Sequence, residues 1–309
     1  MEKERLSFCI KEWLEEHKKN SVKALSYDRL LITHKLMLTY QISTLPVDEI
    51  TSRDIQKYLN DLVSDGYSMS TIKKQFNLIT AYWKWAMSQG IVTNPLYLGV
   101  NLPSEDALIS PSKEIEAYTH CEQQRLLERL LQLDKDQYGV VVLMLEAGLR
   151  IGEALALTWD DILWGRRAIR IHRTLIRKSS EPVTYVQDSP KNKKSKRDIP
   201  LSDIALEMLK KLNLRKSRYR FIFCEDEMSK MPYSYSSVEF HVRHLCKDLG
   251  ISHRGLHVFR HTFATNCYEK GCDVKILSKL LGHANVAITY NTYIHLYGDA
   301  LEEMRKVIE

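Results

Sequence analysis

The sequence predicts a mainly α protein with a small β-sheet, an α+β chain in two domains. Three observations lead there. Apolar residues recur at helical spacing through residues 1–100, an aperiodic stretch with Pro103, Pro111 and several serines interrupts them over 101–117, and the period shifts toward strands only between Arg167 and Pro200. With 309 residues, each part is large enough to bury its own core.

Composition narrows the class. Hydrophobic residues make up 44% and charged residues 27%, as in a soluble globular chain. No run of about 18 apolar residues exists, and Met1-Glu2-Lys3-Glu4-Arg5 lacks the apolar core of a secretion signal, so neither membrane nor export is expected. Six scattered cysteines form no C-x-x-C pair and read as reduced thiols of a cytoplasmic protein. The net charge is +6, but residues 164–220 hold 17 Lys and Arg against five Asp and Glu, leaving the remainder net acidic. Such a stripe is an electrostatic footprint for a polyanion.

In the first domain, Phe8, Ile10, Trp13 and Leu14 form the apolar side of one helix, with Glu12, Glu15 and Glu16 toward water. A second helix is expected from Ser26 to Tyr40, with Leu30, Leu31 and Leu38 inward. Thr51-Ser52-Arg53-Asp54 fits a capping box, where hydroxyl and carboxylate satisfy each other's backbone N–H groups. It opens a third helix through Ile55, Tyr58, Leu59 and Leu62, which Asp65-Gly66 ends. Ser70 is expected to cap a fourth, with the stripe Ile72, Phe76, Ile79, Trp83 and Ala86, closed by Gly90. Lys73, Lys74 and Lys84 lie off that stripe, as wet surface or on DNA phosphates, contacts that position without specifying sequence.

The second domain is placed at 118–309. Thr119-His120-Cys121-Glu122 fits another capping box, ahead of Leu126, Leu127, Leu130 and Leu131. Gly139 to Gly148 reads as a buried helix broken at Gly148, and Leu149 to Leu157 as a fresh turn opened by Arg150, with Glu153 three residues on. Strands are expected over Ala168–Ile171, Thr174–Ile176, Val183–Val186 and Asp198–Pro200. The basic loop Ser189–Arg197 separates the last two. Ser202 caps a helix through Leu206, Met208, Leu209 and Leu212, Phe221–Phe223 reads as a short buried strand, and Ser236 to Leu249 as a helix ending at Gly250. His241, His244 and Cys246 in that helix lack a second ligand pair at zinc spacing, and the residue after His257 is valine where a zinc protease needs glutamate. No metal is expected.

His257-Val258-Phe259-Arg260-His261-Thr262 starts a helix that places His257 and Arg260 on one face. Leu281-Gly282-His283 follows the next helix, and Thr292-Tyr293-Ile294-His295 comes ten residues after His283. His, Arg, His and Tyr at these spacings suit a phosphate site with an oxygen nucleophile. The set H-x-x-R, L-G-H and a tyrosine nine or ten residues beyond resembles the tyrosine recombinases, the phage-integrase family. Ala147-Gly148-Leu149-Arg150-Ile151-Gly152-Glu153 matches that family's A-G-x-R-x-x-E/D. Residues 1–100 resemble, more loosely, its four-helix core-binding (SAM-like) DNA-binding domain, with 101–117 as linker and 118–309 as catalytic domain.

The resemblance implies an active set of Arg150, Lys191, His257, Arg260, His283 and Tyr293, with Glu153 orienting Arg150. Lys191 matches the hairpin lysine ahead of Ile-Pro-Leu, with Lys193 and Lys194 as near rivals; these two with Lys196 and Arg197 would contact DNA. Among Tyr290, Tyr293 and Tyr297, the family's Thr-x-x-x-Tyr-x-His context selects Tyr293 through Thr289 and His295. The implied reaction is strand cleavage and rejoining through a 3′-phosphotyrosine, with no cofactor, metal or ATP. Implied partners are double-stranded DNA with a specific core site and a homo-tetramer on synapsed DNA, with Gly298–Glu309 docking a neighbour. The need for accessory DNA-bending proteins stays open, as do a type IB topoisomerase and an inactive DNA-binding regulator.

Overall fold

The computed structural model describes residues 4–108, 116–133, 135–177, 184–187, 196–283 and 285–293, without the side chains of 105 and 291–293. These fall into two compact units, the first chiefly within Met1–Glu114, the second within Ile115–Ile176 and Thr184–Glu309. Among the described residues no helix is long and apolar enough to cross a membrane.

The first unit holds α1 (Leu6–Trp13), continued by a π-helical turn, α2 (Ala24–Met37), α3 (Ser52–Ser64) and α4 (Met69–Ser88). The Thr51–Asp54 capping box opens α3, and Gly66, at φ +78°, follows its end. Trp13, Tyr58, Tyr82 and Trp83 fill the centre with Leu6, Ile10, Leu14, Ile55, Leu59 and Ile79. Several expectations shift. Phe8 is 54% exposed, because Leu6 and Cys9 take the inward positions beside Ile10 and Trp13. Leu38 lies beyond α2 and is 49% exposed; the helix instead buries Asp28, His34 and Met37. His34 can be buried because its Nε2 meets the Ser7 carbonyl at 2.9 Å. Ser68, not Ser70, caps α4, accepting from the Thr71 N–H. The expected linker is partly folded, since Leu108 packs into this core.

The second unit is organised around α6 (Asp136–Ala147). It buries Tyr138 through Leu145 and Ala147, a helix apolar on every face and therefore enclosed by others. Around it stand α5 (His120–Leu133), α7 (Ile151–Leu155), α8 (Asp203–Lys216), α9 (Tyr235–Asp248) and α10 (His257–Glu269). Thr119 and Glu122 cap α5 reciprocally, although Leu131 on it is 40% exposed. Strands β1 (Ile162–Leu163), β2 (Ala168–Ile171) and β5 (Arg197–Pro200) form an antiparallel sheet with β2 central, registering Ile169 with Ile199. Strands β3 (Thr174–Arg177) and β4 (Thr184–Gln187) form a second, two-stranded sheet. Phe221–Phe223 is fully buried but bent rather than a strand. Its Ile222 N–H bonds the Leu157 carbonyl and its Phe223 carbonyl takes the Tyr233 N–H, two different segments instead of one ladder. Then come α11 (Val274–Leu281) and α12 (Val286–Tyr293).

Candidate active site

Two helix C-termini build the site. Helix α6 ends at Gly148 and α11 at Gly282, both left-handed, at φ +63° and +65°. Carbonyls left unpaired at a helix C-terminus carry partial negative charge and attract cations. Here three guanidiniums take them. Arg260 donates through Nη1 to Gly148 O at 2.8 Å and through Nη2 to Leu281 O at 2.6 Å. Arg150 Nη2 reaches Gly282 O at 3.1 Å, and Arg197 Nε reaches Leu280 O at 2.5 Å.

Glu153, on α7, ties these cations together. It accepts from Arg150 Nη1 at 2.9 Å and from the Arg150 backbone N–H at 2.9 Å, which caps the helix. Arg197 forks onto it at 3.0 and 2.8 Å, and Arg260 Nη1 stands 3.9 Å away. Burial alone would push the Glu153 carboxyl up; Arg197 first, then Arg150 and Arg260, outweigh it and hold it down to about 2. Arg150 is the more open of the arginine pair, its side chain 36% exposed against 3% for Arg260.

His283 follows Gly282 directly, with Nε2 3.1 Å from Arg260 Nη2 and Nδ1 2.7 Å from Thr289 Oγ1 on α12. A guanidinium only donates, so Nε2 accepts and the proton sits on Nδ1, donated to the buried Thr289 hydroxyl. Burial, then the charges of Arg260 and Arg150, hold His283 down to about 4, so it is neutral near pH 7. The ring of His257 opens α10 and remains accessible; packing around it, then Arg260, Arg150 and His261, lower its pKa below the usual histidine value.

The fold thus gathers Arg150, Glu153, Arg260 and His283, with His257 close enough to feel both arginines. Position 293 is the last of α12. Lys191, Lys193 and Lys194 lie outside the described residues. Lys196 is exposed just before β5, and Lys73, Lys74 and Lys84 are exposed on α4, Lys84 over the Tyr97 ring. Arg197 is corrected: expected on DNA, its side chain is 7% exposed and turned onto Glu153. The charge run hid it, since its partner lies 44 residues away; the signal available was its position beside the alternating Asp198-Ile199-Pro200. His241 and His244, weighed as zinc ligands, bond carbonyls one turn earlier, at Ser237 and Phe240. Among the described residues no group of three or more His, Cys, Asp or Glu could hold a metal ion.

Comparison with known proteins gives two family-model matches. Residues 116–299 match the Phage integrase family, and residues 6–102 the Phage integrase SAM-like domain. The chain is 27% identical over 277 residues to a "Tyrosine recombinase XerC-like" protein of Caldanaerobacter subterraneus subsp. tengcongensis, covering 82% of this chain and 69% of the relative. It is 26% identical over 282 residues to the transposase from transposon Tn916 of Enterococcus faecalis, covering 84% and 67%. Among solved structures, the Tn1549 transposon integrase in complex with transposon right end DNA superposes with a TM-score of 0.82 at 19% identity, covering 99% of this chain and all of that one. A lambda integrase tetramer bound to a Holliday junction gives 0.69 at 17% identity, over 94% and 78%. These two likenesses establish the fold.

Proposed function

This chain belongs to the phage integrase family of tyrosine recombinases, and from that premise we propose that its second unit cleaves and rejoins DNA through a covalent 3′-phosphotyrosine. It is a site-specific recombinase, an enzyme of DNA strand exchange. The observation that carries the reading is the convergence of Arg150 and Arg260 on Glu153 and on the consecutive carbonyls of Leu281 and Gly282. Two guanidiniums held that close present one anion site, and their forks suit the non-bridging oxygens of a phosphodiester.

Attack at phosphorus adds negative charge, so cations fixed in advance stabilise the transition state more than the ground state. Tyr293 is the nucleophile in this reading. A phenol of ordinary pKa ~10 needs nearby cations or a base, and His257, neutral near pH 7, can accept its proton. His283 donates to the phosphate only after taking a proton on Nε2. Burial and then the guanidinium charges hold it neutral; the arriving anion offsets the second of these and so favours the protonated, donating form. Lys191 protonates the departing 5′ oxygen, a role worth roughly 10²–10⁴ in rate. The phosphotyrosyl bond conserves the energy of the broken strand, so resealing needs no ATP. Lys73, Lys74, Lys84 and Lys196 serve the DNA backbone, and the working assembly is a homo-tetramer on two core sites in the bacterial cytoplasm.

A duplex nicked beside the cleavage site tests this. A recombinase is trapped as a covalent adduct at one sequence, a type IB topoisomerase relaxes plasmids with little site preference, and an inactive regulator gives only a non-covalent shift. Either of the last two outcomes overturns the reading.

A further inference from the structure

Arg197 is the one member of this cluster to which the proposed chemistry gives no task. It opens β5, yet it reaches across to fork Glu153 on α7 and to cap the Leu280 carbonyl of α11. It also packs on Gly282, where a Cβ would stand 2.9 Å from its Nη1. One side chain therefore joins the segments that support the arginine pair.

Its effect on Glu153 follows from acceptor capacity. A carboxylate offers about four acceptor positions. Arg150 Nη1 and Arg197 Nη1 take Oε1, while the Arg150 backbone N–H and Arg197 Nη2 take Oε2. Arg260 Nη1 is left at 3.9 Å, beyond hydrogen-bond range. Removing Arg197 would open two acceptor positions, and the nearest cations are Arg150 and Arg260. The carboxylate would then engage the groups a substrate anion requires. Charge argues the same way. Among the described residues, three guanidiniums meet one carboxylate here, so loss of Arg197 removes one of the positive charges that face a phosphorus centre whose negative charge grows in the transition state.

We propose that Arg197 is a positioning residue of strand cleavage: by filling the remaining acceptor positions of Glu153 and capping the α11 C-terminus, it keeps the carboxylate from drawing in Arg260 or taking a further bond from Arg150, so that both guanidiniums stay placed for the scissile phosphate. This rests on the recombinase reading above. It differs from a direct phosphate contact, which would add affinity and salt dependence instead.

The test separates binding from cleavage, using the full chain and a nicked duplex whose site the wild-type chain selects from a random pool. The variants are Arg197→Lys, which keeps the charge without the fork, Arg197→Met, Glu153→Gln, and Arg197→Met with Glu153→Gln. Site affinity and its salt dependence should match wild type, while single-turnover adduct formation at saturating DNA falls about 100-fold in both Arg197 single variants. Adding Glu153→Gln to Arg197→Met should cost nothing further or recover rate, because the competing carboxylate is gone. Thermal melting shows which variants fold, and Arg197→Lys carries the test if Arg197→Met does not. Weaker binding with a smaller salt slope and unchanged saturated cleavage makes Arg197 a phosphate contact and overturns the proposal; so does a fully additive double variant. Absence of an adduct from the wild-type chain overturns the recombinase reading itself, and the proposal with it.

Discussion

Replacing Glu153 by glutamine changes little in shape and removes a negative charge that three guanidiniums face. The side chain is 5% exposed, so solvent screens the loss poorly. Its carboxyl falls from 4.5 to about 2 on folding, a difference of roughly 3 kcal/mol. Breaking a buried ion pair from one side costs about 3–5 kcal/mol, in agreement. For a unit of this size, about 2–4 °C of melting temperature accompanies each kcal/mol, so the variant should melt about 10 °C lower at pH 7. The pH dependence has a definite sign. A carboxyl depressed on folding stabilises fully above its unfolded pKa and loses that contribution as pH falls toward the folded one. The gap between wild type and variant should therefore be complete above pH 4.5 and narrow toward pH 2. Calorimetry across that range measures it, with sulfate as a second readout. An anion should raise the variant's melting temperature more than that of wild type, because its pocket holds uncompensated positive charge. A difference below about 1 kcal/mol at pH 7, with no extra response to sulfate, would mean that the three arginines do not share this carboxylate.

Tyr293→Phe should bind the core site like wild type and form no adduct; an adduct in that variant would move the nucleophile elsewhere. NMR of His283 should show the Nδ1–H tautomer and a pKa of about 4 in the free protein, rising when DNA binds; an unchanged value would remove it as a phosphate donor. Its contribution to stability is complete above pH 6.5 and is lost as pH falls toward 4; partial solvation limits that loss to about 1–2 kcal/mol. Gly148→Ala should destabilise by about 2 kcal/mol or more and reduce cleavage, since φ is +63° and the new Cβ would stand 2.7 Å from Phe263 Cε1, displacing the carbonyl that holds Arg260; a melting curve unchanged from wild type would count against this backbone geometry. Cleavage should survive EDTA, and inhibition reversed by added divalent cation would refute charge stabilisation by arginine alone.

What the sequence determined by itself is local. The capping boxes at Thr51–Asp54 and Thr119–Glu122, and the glycines that end α6 and α11, follow from hydrogen bonds and backbone angles confined to a few residues. The motif spacings around Arg150, Arg260 and His283 were legible for the same reason. Helical period marked the apolar stripes, but it could not say that Leu6 and Cys9 would be buried in place of Phe8, or that α2 would bury His34 and leave Leu38 outside. Those choices depend on which neighbour supplies a carbonyl or a matching surface. Arg197 shows the limit most clearly. In sequence it closes a run of lysines; in the fold it meets a carboxylate 44 residues before it and a helix end 83 residues after it. Only packing brings those charges within 3 Å, and at that distance in a buried setting their pairing outweighs the attraction of water that the sequence alone would assign.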